Sequence, residues 1–378
     1  MADPTYPAAR AVAGKVRTQF AAHVEQALAS GDTPVAPVPD EVAIQTMVDV
    51  AFWASLRREE GIEPRISLAF VPPDAAGQPL SFESPLPLLP AALARLAPAV
   101  ERAGIHLGVW WRDDHLEVWG TTRVLPRACF VIEVVASGLL VIKQSVEAYG
   151  KFVNVAVLEG DQIKFVDEGR AFGPECPGLL KSMLGFDVAA RPGRSPSVMV
   201  LLAASMRQHG RGGAMLVVPA GGSEWRESIV SPMLYGLDPP FRELADLLRQ
   251  RAEDRDGYDW QESLRHAVDA VGGLTAVDGA MVISDDYEVL TFGAKITRRR
   301  GHPAVERVVT TEPIVGAATT YVTPSQLGGT RHLSAAQFVH DQREAVAFVA
   351  SQDGRSTIFR WSPQEQLVHA HRVEALLL

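Results

Sequence analysis

Two short motifs in the last third of the chain combine residues that could bind a phosphorylated ligand. Asp278-Gly279-Ala280 places a carboxylate directly before an apolar run, and Gly328-Gly329-Thr330-Arg331-His332 follows a glycine pair with a hydroxyl, a guanidinium and an imidazole. A carboxylate and an imidazole can hold a divalent cation, and arginine can donate two hydrogen bonds to a phosphate. Glycine lets the backbone approach a ligand closely. Together the motifs predict a site for nucleotide phosphates.

Each motif has a plainer interpretation when it stands alone. Asp-Gly is a common turn, and an arginine-histidine pair is often a solvated part of a loop. The combination favours a ligand site, because Gly328-Gly329 precedes a small-residue helix whose N-terminus would attract an anion. The run Arg298-Arg299-Arg300 with His302 is a second candidate for a phosphate clamp, although such charge runs usually form a solvated surface.

The pattern of apolar residues predicts two domains that position these motifs. Residues 1–190 are expected to form an α+β domain with an antiparallel sheet. Its predicted helices span 8–29, 40–61 and 87–103, and its strands lie in a hairpin over 105–119 and in 129–143, 152–158 and 162–166. Trp110, Trp111, Trp119, His106 and His115 belong to that hairpin, and a structural role is expected for them. A bridge over 169–195 leads to the second domain.

The second domain is expected to span residues 196–378 and to alternate helices with strands. Predicted helices cover 196–208, 241–252, 260–271 and the start of one at 334–339, with a helix in the 364–378 tail. Predicted strands cover 214–219, 280–283 and 288–292, and Phe348 and Phe359 lie on a closing hairpin. The carboxylate motif thus leads into a strand and the glycine motif into a helix.

These motifs, in this order, resemble the diadenylate cyclase (DAC) domain family. That family carries Asp-Gly-Ala on one element and Gly-Thr-Arg-His-Arg on a later one, and the flanking segments Gly212–Val218 and Glu344–Ser351 are also similar to its strands. The resemblance covers roughly residues 200–362 and implies an α/β DAC-like domain with a central mixed sheet flanked by helices. Such a domain behind a long N-terminal region is similar to the divergent group called DACNV, regarded as probable nucleotide sensors.

The resemblance also implies roles for individual residues. The nucleotide-binding set would be Asp278, Gly279, Ala280, Gly329, Thr330, Arg331 and His332. Asp278 and His332 would hold Mg²⁺ or Mn²⁺ and would be the catalytic residues of an active enzyme. Cyclases of this family join two ATP molecules where two domains meet face to face, so self-association is a further expectation.

Two departures from the family pattern favour binding over catalysis. Leu333 stands where the family has its second arginine, and Gln352-Asp353 stands where it has two glutamates. A lost cation beside transition-state charge lowers turnover by orders of magnitude. The expected function is therefore a nucleotide-binding sensor for an adenine nucleotide or a cyclic dinucleotide in a bacterial signalling or conflict system. The alternative is an active diadenylate cyclase that makes c-di-AMP from two ATP.

Composition excludes several other classes of function. A formal charge of −9 gives no general attraction to duplex nucleic acid or to an anionic membrane. No apolar run approaches the ~20 residues of a membrane span, and no signal peptide is visible, so a cytoplasmic location is expected. Cys129 and Cys176 are expected to be reduced thiols, and the sequence contains no P-loop, zinc-protease or serine-hydrolase motif.

Overall fold

The computed structural model describes residues 5–31, 33–102, 104–147, 151–167, 198–250, 258–352 and 354–378. The chain divides into two compact units. The first comprises Met1–Asp167 and Leu378, and the second comprises Glu168–Leu377. The predicted bridge, Cys176 and Asp353 lie outside the described residues. No described helix is long and apolar enough to cross a membrane.

The first unit packs helices against an eight-stranded sheet. The helices are α1 (Pro7–Ala29), α2 (Glu41–Ser55) and α3 (Pro90–Val100). The strands are β1 (Ile66–Phe70), β2 (Leu80–Pro87), β3 (His106–Arg112), β4 (His115–Thr122), β5 (Phe130–Ala136), β6 (Leu139–Glu147), β7 (Lys151–Glu159) and β8 (Gln162–Phe165). Their order is β2-β4-β3-β1-β5-β6-β7-β8. Apolar residues of the helices, among them Phe20, Ile44 and Leu93, are fully buried against the sheet.

This sheet is mixed, so the predicted all-antiparallel sheet is wrong at one pair. β1 and β3 run parallel, with Leu68 opposite Leu107. The chain passes through β2 and α3 between them, and such a long crossover returns the second strand in the same direction. β2 was not predicted, because its residues are mostly exposed and it contains Pro85 and Pro87. Proline is tolerated there because β2 is an edge strand.

Two other boundaries in this unit differ from the expected ones. The predicted strand over 129–143 is β5 and β6 with a turn between them, where Gly138 adopts a φ of 72° that favours glycine. The second helix begins as predicted, with Asp40 as its N-cap accepting a hydrogen bond from the Ala43 amide at 2.7 Å, but it ends at Ser55.

The second unit contains a nine-stranded mixed sheet with helices on both faces. Its helices are α4 (Val198–Gln208), α5 (Glu243–Arg249), α6 (Tyr258–Leu274), α7 (Pro324–Leu327), α8 (Thr330–Asp341) and α9 (Glu374–Leu377). Its strands are β9 (Gly213–Val218), β10 (Tyr235–Phe241), β11 (Ala280–Ser284), β12 (Val289–Ala294), β13 (Val308–Thr311), β14 (Thr320–Val322), β15 (Val346–Ala350), β16 (Ser356–Ser362) and β17 (Leu367–Arg372). The order is β10-β12-β11-β9-β15-β16-β17-β13-β14.

Alternating side chains of β9 belong to two separate hydrophobic cores, one on each face of the sheet. Met215 and Val217 join the core under α4, α5 and α6, whereas Ala214 and Leu216 join the core under α8. β9 and β11 are parallel, while β12 and β15 are antiparallel to these neighbours. Four strand termini therefore lie on the same side of the sheet: the starts of β9 and β11 and the ends of β12 and β15.

The predicted C-terminal helix is wrong over most of its length. Residues 367–372 form β17, which pairs with β16 and β13, and only Glu374–Leu377 is helical. Residues 368–371 are all buried, because this strand lies inside the sheet and is covered on both faces, so its pattern shows no alternation that distinguishes a strand from a helix. The flanking β13, β14 and α7 were not predicted, and the predicted helix over 241–252 is the shorter α5 preceded by β10.

Candidate functional site

The two sequence motifs meet at one cleft in the second unit. Its volume is about 690 Å³, within the range usual for small-molecule sites. All seven residues of the expected nucleotide-binding set line it, together with residues from the ends of β12 and β15. The lining is Ala214, Asp278, Gly279, Ala280, Ala294, Lys295, Ile296, Leu327, Gly328, Gly329, Thr330, Arg331, His332, Ser334, Val349, Ser351, Gln352 and Arg355.

Asp278 lies just before β11 and is bound by a lysine. Its carboxylate Oδ2 accepts a hydrogen bond from Lys295 Nζ at 2.6 Å, although the Asp278 side chain is 89% exposed. The Lys295 bond and charge, with a smaller contribution from Arg331, lower the pKa of Asp278. The carboxylate is therefore an anion with a cation already in contact.

Lys295 was not among the predicted site residues, although the pairing of two predicted strands indicates its position. It follows β12, and β12 is the antiparallel partner of β11, with Ala294 opposite Ala280. The residue after the second strand of a hairpin lies near the residues before the first strand. A register for that hairpin would thus have placed a lysine beside Asp278.

The two glycines of the motifs have different surroundings. Gly279 has a φ of 127°, and a Cβ there would lie 2.4 Å from the carbonyl carbon of Gly293 on β12. Packing of β11 against β12 therefore requires this glycine, whether or not a ligand is bound. A Cβ on Gly329 would meet nothing within 4 Å, so this backbone faces open space in the way a ligand site requires.

His332 is buried within α8 rather than projecting freely into the cleft. Its exposure is 3%, and its Nε2 lies 3.4 Å from the Thr357 hydroxyl. A Cβ on Gly328 would lie only 2.5 Å from Nδ1, and the ring packs edge-on against Phe359. Both ring nitrogens therefore face protein atoms, and the imidazole fixes the turn between α7 and α8.

The cleft is cationic where α8 begins. Gly329 is the N-cap of this helix and offers no side chain to cap the first-turn amides, which carry partial positive charge. The half-buried Arg331 guanidinium forms no hydrogen bond or ion pair with any residue that the structure describes. Arg355 lines the same cleft. These groups can attract and orient a phosphate.

The other cationic candidate lies elsewhere. Arg299 donates its amide to Asp341 Oδ2 at 2.8 Å and pairs with Glu227 at 2.7 Å, while His302 contacts Asp341 at 3.3 Å. Asp341 ends α8, so this basic run is fixed at the opposite end of the helix from the cleft. Leu333 is 44% exposed and is not part of the cleft lining.

The donor atoms at the cleft do not fit a metal ion held by protein ligands. Within the described ranges, no three His, Cys, Asp or Glu side chains are grouped so that they could hold one. Asp278 is bound by Lys295, and both nitrogens of His332 face protein atoms. Mg²⁺ prefers carboxylates and water in an octahedral shell, and this lining offers one carboxylate with a competing ammonium.

Comparison with known proteins finds a similarity, which lies within the first unit. A family model described as "Probable sensor domain DACNV" matches residues 33–123, about a quarter of the chain. The matched segment runs from the loop before α2 through β4 and does not reach the cleft of the second unit. A search of curated proteins finds no match. The chain thus contains a segment similar to a probable sensor domain of the DACNV type.

Proposed function

We propose that this protein is a sensor that binds an adenine nucleotide or a cyclic dinucleotide in the cleft of its second unit, within a bacterial signalling or conflict system. The observation that carries the proposal is the single cleft in which Asp278, Gly329, Thr330 and Arg331 meet at the uncapped start of α8. Cations at a helix N-terminus suit phosphate, and the similarity of residues 33–123 to a probable sensor domain supports signalling rather than metabolism.

The geometry supports binding better than nucleotidyl transfer. Transfer between two ATP molecules needs a divalent cation to neutralise developing charge. The carboxylate expected to hold that cation is bound by Lys295, and Leu333 adds no charge to the lining. Self-association at the cleft stays a prediction from the family resemblance.

Arg331→Ala tests the proposed function. The unmodified protein should bind ATP, c-di-AMP or both in isothermal titration calorimetry, and the variant should bind at least about tenfold more weakly. One charge-assisted hydrogen bond is worth about 1.5–3 kcal/mol, which corresponds to this loss.

Arg265→Ala is the matched control, because Arg265 is an exposed arginine on α6 that does not line the cleft. It should bind like the unmodified protein, and both variants should keep its melting temperature. Equal affinity of all three proteins would show that the cleft is not the nucleotide site, and absence of binding to every nucleotide would refute the proposal itself.

A further inference from the structure

The pairing of β11 with β12 brings the backbones of Asp278 and Lys295 close together. Ala280 pairs with Ala294 across β11 and β12, and the missing side chain of Gly279 allows contact with the Gly293 backbone. This packing brings Asp278, two residues before β11, and Lys295, directly after β12, to the same end of the strand pair. Lys295 Nζ reaches Asp278 Oδ2 at 2.6 Å, although the Lys295 side chain is half exposed and the Asp278 side chain is largely exposed.

The formal charges of the lining favour a ligand with two negative charges. Among the described residues that line the cleft, Lys295, Arg331 and Arg355 are cations and Asp278 is the one carboxylate. Lys295 and Arg331 can each contact one phosphodiester group. A cyclic dinucleotide carries two phosphodiester charges, one for each of these cations, whereas a nucleoside triphosphate carries about four at neutral pH and needs a further cation.

We propose that Lys295 takes the place of a divalent cation at Asp278, so that the cleft binds a doubly charged phosphodiester, such as a cyclic dinucleotide, without metal and in preference to a nucleoside triphosphate. The inference rests on the proposed function of the same cleft. Asp278 orients the ammonium, Lys295 and Arg331 contact the phosphodiester oxygens, and the amides at the start of α8 complete the anion site.

Calorimetry on the full chain, with c-di-AMP and ATP as probes, tests this inference in EDTA and in Mg²⁺. The dissociation constant for c-di-AMP should agree within about twofold between the two buffers, and ATP should bind more weakly in both. Lys295→Met should weaken c-di-AMP binding by about tenfold or more, while Lys295→Arg should retain most of it. Lys295 is half exposed, so both variants should fold, and their melting temperatures check this.

Asp278→Asn distinguishes whether the cation beside this carboxylate is a metal ion or the Lys295 ammonium. If the carboxylate held a metal, the substitution would abolish Mg²⁺-dependent binding. With Lys295 as the cation, the substitution removes the carboxylate that orients the ammonium, so c-di-AMP should bind more weakly by the same factor in EDTA and in Mg²⁺.

Distinct results overturn the inference and the proposed function. Nucleotide binding that appears only with Mg²⁺, or Lys295→Met that binds like the unmodified protein, would overturn the role of Lys295 and leave a nucleotide sensor in place. Tighter binding of ATP than of c-di-AMP would overturn the ligand class. Failure of the unmodified protein to bind either probe in either buffer would overturn both.

Discussion

At the scale of single residues, the same amino acid in the two motifs serves different ends. Gly279 is required by its φ of 127° and by contact with Gly293, which a side chain would disrupt. Gly329 has a φ of −75° and open space around it. One glycine is therefore needed for folding, while the other leaves room for a ligand.

Paired alanine substitutions separate these two roles. Gly279→Ala should lower the free energy of unfolding by about 2–3 kcal/mol, because the backbone is strained for alanine and the Cβ overlaps β12. Gly329→Ala should change stability by less than about 0.5 kcal/mol and weaken nucleotide binding. Urea unfolding and calorimetry measure the two effects. Equal stability of the two variants would contradict this assignment.

At the scale of elements, the parallel pair β1–β3 contains a buried polar contact that couples the sheet to pH. Ser67 Oγ lies 2.7 Å from His106 Nδ1 across these strands. Burial lowers the pKa of His106 to about 4, with Glu133 raising it and Lys143 lowering it by lesser amounts. The neutral imidazole is thus favoured by the fold.

The sign of the resulting pH dependence follows from proton binding. Between the unfolded pKa of 6.5 and the folded pKa of about 4, the unfolded chain binds more protons than the folded one, so stability falls as pH falls. His106→Gln should be less stable than the unmodified protein at pH 7.5, and that difference should shrink by about 2 kcal/mol at pH 5. Chemical unfolding at the two pH values tests this, and a difference that stays constant would refute it.

At the scale of the whole molecule, an acidic chain with a formal charge of −9 contains a cleft with a cationic lining. The surrounding negative charge repels polyanions such as duplex nucleic acid, while a small anion can still enter the cleft. The segment similar to a probable sensor domain and the cleft belong to different units.

The arrangement at Asp278 also predicts that the whole protein produces no cyclic dinucleotide. Incubation of the pure protein with ATP and Mg²⁺ or Mn²⁺, followed by nucleotide chromatography, should show ATP unchanged, because Lys295 binds the carboxylate and Leu333 supplies no phosphate-facing charge. Synthesis of c-di-AMP that Asp278→Asn abolishes would instead establish the cyclase.

Elements of this protein that depend on local interactions follow from its amino-acid sequence. The four-residue spacing of Val12, Val16 and Phe20 predicts α1, and these side chains are fully buried in it. The β3–β4 and β15–β16 hairpins were also predicted, because their strands are joined by short turns. The seven expected binding residues line one cleft, and their role as ligand contacts stays a prediction.

Other features depend on contacts between distant parts of the chain, and only the tertiary structure decided them. The parallel pairing of β1 with β3, the strand character of residues 367–372 and the burial of His332 each require a partner element that local patterns do not specify. The same holds for Lys295, whose position at Asp278 follows from strand register. A sequence states which residues can carry charge or form a hydrogen bond, but packing sets the distances that decide whether they bind a metal, a ligand or one another.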